Sequence, residues 1–143
     1  MDVSGVRSVN VLVRDTRGRT LLQFRDAFTQ TFPLLWSFWG GRMASHDASP
    51  AHCAARELRE ELALDALPAD FAKVGVRKSS MGEAWLMLFA RPMEWGMFRV
   101  CEGAGAAFLW RHEIIRLPLA KPVAEHLRSD PDLFGDFQAD GSS

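Results

Sequence analysis

The sequence predicts a single α/β domain. With 143 residues, 48% of them hydrophobic, and a formal net charge of −1, the chain suits one ordered globular unit with a proper core. Short strand-like segments bounded by Gly, Pro and Asp turns recur along much of its length. Two stretches carry apolar residues at helical spacing, one before the midpoint and one near the end.

Val6 to Arg14 reads as a strand in which Val9, Val11 and Val13 alternate toward one face. Asp15-Thr16-Arg17-Gly18 is turn chemistry, and Thr20 to Arg25 returns as the second strand of a hairpin. Phe32-Pro33 to Gly41 is dense in aromatics; if it is extended, Trp36 and Phe38 share one face and Trp39 takes the other. Ser49-Pro50 starts a helix, because a side-chain cap followed by proline wastes no backbone donor. Ala51, Ala55, Leu58 and Leu62 then form one apolar stripe.

Leu67 to Asp70 is a connector. Phe71 to Val76 and Glu83 to Ala90 are expected strands on either side of a turn at Lys78 to Gly82. Trp85, Met87 and Phe89 share one side of the second strand, which ends at Arg91-Pro92 because proline cannot donate to a ladder. Phe98 to Glu102 and Ala106 to Trp110 read as short strands around Gly103 and Gly105. Arg111 to Ile115 suits a short helix, and Lys121-Pro122 opens an amphipathic one through Leu127, with Val123 and Leu127 inward. From Ser129 the composition turns to Asp, Gly and Ser. Residues 131–143 are expected to be a flexible tail beyond a domain of residues 1–130, with no repeat, linker or second domain.

The near-neutral charge argues against an extended nucleic-acid partner held by many phosphate contacts. No apolar run approaches a membrane span, and no charged-then-apolar leader opens the chain. Cys53 and Cys101 fit a reduced, cytoplasmic protein better than a disulfide framework, and neither lies in a zinc-ligand pattern.

The chemistry gathers on the first helix. Glu57, Glu60 and Glu61 stand at i, i+3 and i+4, so their carboxylates share a face and disfavour one another's ionised forms. A hard divalent cation with oxygen ligands would resolve that conflict; a solvated charged face is the plainer alternative. The surroundings decide between them: Gly40-Gly41, a polar loop, then Arg56-Glu57-Leu58-Arg59-Glu60-Glu61-Leu62.

The segment Gly41 to Leu64 resembles the Nudix box of the MutT-type Nudix hydrolases, G-x5-E-x7-R-E-U-x-E-E-x-G-U, with U a bulky aliphatic residue. Here it reads G-x5-D-x8-R-E-L-x-E-E-L-A-L. The Arg-Glu-Leu-x-Glu-Glu centre is intact. Asp47 replaces the loop glutamate, one residue is inserted before Arg56, and Ala63 stands for the usual glycine. Ala44 occupies a position that often carries Glu.

The resemblance implies an α/β/α sandwich around a mixed sheet. It also implies hydrolysis of the pyrophosphate bond in a nucleoside diphosphate linked to another group, X. Mg²⁺, or Mn²⁺ in its place, would be held by Glu57, Glu60, Glu61 and the Gly40 carbonyl, with Arg56 orienting the glutamates by a salt bridge. A further carboxylate from outside the box is expected, with Glu102 first, Glu83 second and Glu94 third. Arg25 could reach a substrate phosphate or simply end a surface strand. Trp36 or Trp39 could stack on a base, each stack worth about 1–3 kcal/mol, or fill the core. His46 reads as a loop surface residue. Two other functions stay open, a house-cleaning hydrolase of modified nucleoside triphosphates and a nucleotide-binding sensor with little catalysis. The partner expected is a small nucleotide, and family habit points to a homodimer.

Overall fold

The computed structural model describes residues 5–137. Seven strands form a mixed sheet: β1 (Val6–Arg14), β2 (Thr20–Phe24), β3 (Trp36–Ser37), β4 (Trp39–Arg42), β5 (Phe71–Ser79), β6 (Gly82–Phe89) and β7 (Gly105–Leu109). The main path runs β3-β2-β1-β6-β5, with β4 paired to β1 and β7 to β2. Only β1 and β6 are parallel among these pairings. Helices α1 (Pro50–Leu62), α2 (Arg111–Ile114) and α3 (Lys121–Ser129) complete the elements.

The alternation read in β1 sorts the core into two layers. Val9, Val11 and Val13 meet Trp39, Trp85, Met87, Phe89 and the Cys53-Leu58-Leu62 side of α1 on one face. Leu12, Leu22, Phe38 and Leu86 meet Ile114, Val123 and Phe134 on the other, and Trp36 packs against that second cluster. Trp36 and Phe38 therefore share a face and Trp39 takes the opposite one. The result is an α/β/α sandwich.

Helix α1 begins as its sequence dictates. The Ser49 hydroxyl accepts from the His52 amide at 3.2 Å, and Pro50 fills the first turn. It ends at Ala63 in the left-handed region, φ 54°, with its N–H returned to the Arg59 carbonyl.

Three segments depart from expectation. The fifth strand runs on to Ser79, so the turn shrinks to Ser80-Met81. Phe98 to Glu102 is not a strand: the Arg99 and Cys101 amides donate to the Leu62 and Glu61 carbonyls, at 3.0 and 2.8 Å. A helix end leaves such carbonyls without internal partners, and this segment supplies the donors. The tail is packed as far as it is described. Pro131–Leu133 is one 3-10 turn, Phe134 is 1% exposed, and the Gly135 carbonyl accepts from the Arg111 amide at 2.8 Å. Burial of one aromatic ring fixes a segment whose composition reads as loose; residues 138–143 lie outside the described residues.

Candidate active site

The site is built where α1 meets the glycines of β4. Gly40 carries φ 118°, and a Cβ there would overlap the Val9 carbonyl oxygen, so only glycine fits. A Cβ on Gly41 would come within 2.5 Å of the Glu57 carboxylate, which therefore lies directly over this glycine. The Gly40 amide donates to Glu61 Oε1 at 2.8 Å.

Arg56 ties the loop to the helix. Its Nε and one amino group grip both Asp47 oxygens at 3.0 and 2.8 Å, while the other amino group reaches Glu57 at 3.0 Å and Glu60 at 3.3 Å. The shorter Asp47 still makes a two-point grip, and the Ala44 amide adds a bond to it at 2.8 Å. The guanidinium hydrogen bond holds the Asp47 carboxyl down to about 2, and Asp47 in turn raises the Arg56 pKa.

The carboxylates shift the opposite way. Burial, with the charges of Glu57 and Glu102 beside it, pushes Glu61 up to about 9, against the pull of the Gly40 amide. Burial likewise raises Glu57, opposed by Arg56. Glu102 follows Cys101, whose amide donates to the Glu61 carbonyl at 2.8 Å, and its charge helps to raise Glu61, so the fold brings this outside carboxylate near the helix acids. Glu83 instead accepts from the Trp85 indole at 2.9 Å, and Glu94 accepts from Thr16. Glu60 is half-exposed beside Arg56, and His46 is an exposed loop residue.

Among the described residues, no three His, Cys, Asp or Glu side chains already enclose a metal position. The donor chemistry nevertheless fits a hard divalent cation. Burial first, then neighbouring carboxylates that include Glu102, raises both Glu57 and Glu61, a conflict that added positive charge relieves.

A cleft of about 410 Å³, lined by Gln23, Arg25, Asp26, Thr29, Cys101, Glu102 and Gly103, opens beside Glu102. Arg25 stands on its wall and also lines a second cleft of about 300 Å³ that reaches Gly40 and Gly41. Its donors hold the following loop at Thr31 O (2.8 Å) and Thr29 Oγ1 (2.7 Å), and reach back to Gln23 Oε1 on β2 (3.3 Å). Gln23, a residue the sequence reading passed over, bridges Arg25 to the Glu102 carbonyl at 3.1 Å.

Trp39 needs correction as a base-stacking residue. Trp39 is 0% exposed, with its indole donating to the Leu21 carbonyl at 3.0 Å, so it is a core residue. Trp36 packs on Phe24 at 5.2 Å and is absent from the lining of both clefts. The exposed rings nearby are Phe28 and Phe32, on the loop that Arg25 holds.

Residues 5–122 match the sequence profile of the NUDIX domain. The chain belongs to the Nudix family. Similar solved structures include the MutT protein of Methanosarcina mazei Go1, with 20% identity, TM-score 0.67, 90% of this chain and 95% of that one covered. The NUDIX domain of Shewanella oneidensis NrtR, complexed with ADP ribose, matches at 15% identity and TM-score 0.64 over 92% of this chain and 89% of that one. The Escherichia coli dihydroneopterin triphosphate pyrophosphohydrolase matches at 16% identity and TM-score 0.64 over 88% and 94%. Comparison with curated proteins gives no match. No helix among the described residues is long and apolar enough to cross a membrane.

Proposed function

We propose that this Nudix domain is a divalent-metal-dependent pyrophosphohydrolase acting on a nucleoside diphosphate linked to a second group. The observation that carries the reading is the crowding of Glu57 and Glu102 around Glu61, whose buried carboxyl is held by the Gly40 amide. Glu57, Glu60, Glu61 and the Gly40 carbonyl would hold Mg²⁺ or Mn²⁺, which supplies charge neutralisation and a more acidic water when bound. Arg56, fixed by Asp47, keeps Glu57 and Glu60 on the working face of α1. Water oxygen bonds to one bridge phosphorus, the bond from that phosphorus to the bridging oxygen breaks, and a nucleoside monophosphate and a phosphorylated X leave. Glu102 is the proposed acceptor of the water's proton, because its charge acts on Glu61 and it borders the open cleft. Arg25 faces the leaving phosphates from the boundary of the two clefts. Complexation of ADP ribose by the NrtR domain supports a nucleotide-linked substrate class.

The test is product release with Mg²⁺ across nucleoside diphosphate derivatives and triphosphates, repeated with Glu61→Gln. Turnover abolished by chelation and lowered by orders of magnitude in the variant is expected. Nucleotide binding without turnover by the wild type would replace hydrolysis with a nucleotide-binding role.

A further inference from the structure

The register of the sheet lays cations along a floor of small residues. Arg42 pairs with Ser8, Ser8 with Ala84, and Ala84 with Arg77, so one row crosses β4, β1, β6 and β5. Paired residues project on one face, and three strand spacings separate the terminal arginines by roughly 14 Å. The row two residues along β1 is Gly40, Asn10, Leu86 and Gly75. The 300 Å³ cleft lies over these rows; Arg25, Arg42 and Arg77 line it, and no Asp or Glu does. It continues past Ser8 into a cleft of about 550 Å³ lined by Arg7, Ser8, Arg42, Met43 and Met81, again without a carboxylate.

Arg7 is placed there by special backbone. It has the parity of Val9, Val11 and Val13, which in a regular strand would send it into the core. The ladder with β6 skips it between Val6 and Ser8, and Val6 takes the core position instead. Such a bulge re-aims a side chain. Gly82 makes room for the Arg7 stem, since a Cβ there would lie 2.6 Å from Arg7 Cγ. Arg7 Nε donates to the Met81 carbonyl at 3.0 Å, which leaves both amino groups uncommitted among the described residues. The Arg42 side chain makes no hydrogen bond or ion pair among them either. Arg77 is held by Glu125 through Nε and one amino group, at 2.9 and 3.2 Å, leaving the other amino group.

We infer that this trough binds a phosphate additional to the bridge that is cut, so that the preferred nucleotide carries a further phosphate group. The placement rests on the proposed hydrolase reading: the trough lies on the α3 face and the glutamates on the α1 face, and the cleft meets the glutamate site at Gly40 and Gly41 of β4, an edge strand paired to β1. Arg7 and Arg42, two guanidinium groups without an acidic partner among the described residues, match the charge and the forked acceptors of a phosphate, beside an Arg77 already paired with Glu125.

Calorimetric titration without metal, using a nucleoside monophosphate and the corresponding nucleoside bisphosphate, tests it independently of turnover. The wild type should bind the bisphosphate at least tenfold more tightly, and Arg42→Ala or Arg7→Ala should reduce that ratio to about threefold or less. Equal affinities in the wild type, or a ratio unchanged in both variants, would overturn the trough. Arg42 and Arg7 are exposed, so both variants should fold, which their circular dichroism checks. Failure of turnover with Mg²⁺ would count against the hydrolase reading and leave this ratio standing.

Discussion

Asp47 shows how one carbon less can preserve a function of position. A shorter acid in a loop one residue longer still reaches Arg56 with both oxygens, and the side chain is almost completely buried. Its folded pKa lies near 2, below the ordinary value of about 3.9, so ionised Asp47 stabilises the fold above pH 4. That stability is lost as pH falls through the folded value. Asp47→Asn should cost on the order of 2 kcal/mol at pH 7, and the gap to wild type should close between about pH 4 and pH 2. Urea unfolding at several pH values measures both. Glu61 has the opposite sign. With its pKa raised to about 9 it is neutral at pH 7 when no cation is bound, and glutamine can accept the same Gly40 amide bond. Glu61→Gln should therefore stay within about 1 kcal/mol of wild-type stability without metal while losing activity by orders of magnitude. A large loss of stability in that variant would mean that the carboxyl is chiefly structural.

The ends of α1 explain what the sequence could and could not disclose about elements. Its start was legible because Ser49 and Pro50 act through local backbone chemistry, and the strand faces of β1 and β6 were legible because alternation is also local. Phe98 to Glu102 carries a similar apolar alternation, yet its amides serve carbonyls of a helix more than thirty residues earlier. No local pattern specifies that pairing. The candidate site divided the same way: Arg56 and the helix glutamates follow from spacing, whereas the burial of Trp39 and the bridge through Gln23 depend on which strands become neighbours. Arg7 was a missed signal, a charge on the core parity of its strand. Ala63 marks a different compromise at the far end of α1, since an L-residue there adopts φ 54°. Ala63→Gly removes that strain, partly offset by glycine's greater unfolded-state freedom, and should stabilise the protein by about 0.5–1 kcal/mol. A rise of a few degrees in Tm is expected, and a fall would show that the Ala63 methyl contributes packing that outweighs the strain.

On the scale of the whole molecule, the chain closes its second core with residues that composition alone assigns to a loose end. Phe134 is stacked 6.0 Å from Phe38, in the cluster that also holds Leu12, Leu86, Ile114 and Val123. Around it, Arg14 donates to the Leu133 carbonyl at 2.5 Å and Arg111 bridges to Asp132 and Asp136, so the segment is clasped to β1 and α2. The exposed ion pairs add little, because water screens them; the ring supplies most of the gain. Phe134→Ala should thus destabilise the fold by about 3–5 kcal/mol, with a Tm lower by roughly 10 °C or more. The α3 face of the sheet also floors the arginine trough, while the glutamates work from the α1 face. A loosened second core should weaken bisphosphate binding more than it perturbs the carboxylates. Calorimetry on Phe134→Ala below its melting range, set beside metal binding by the same variant, separates the two faces. Equal losses on both would mean that the sheet transmits the disturbance as one body.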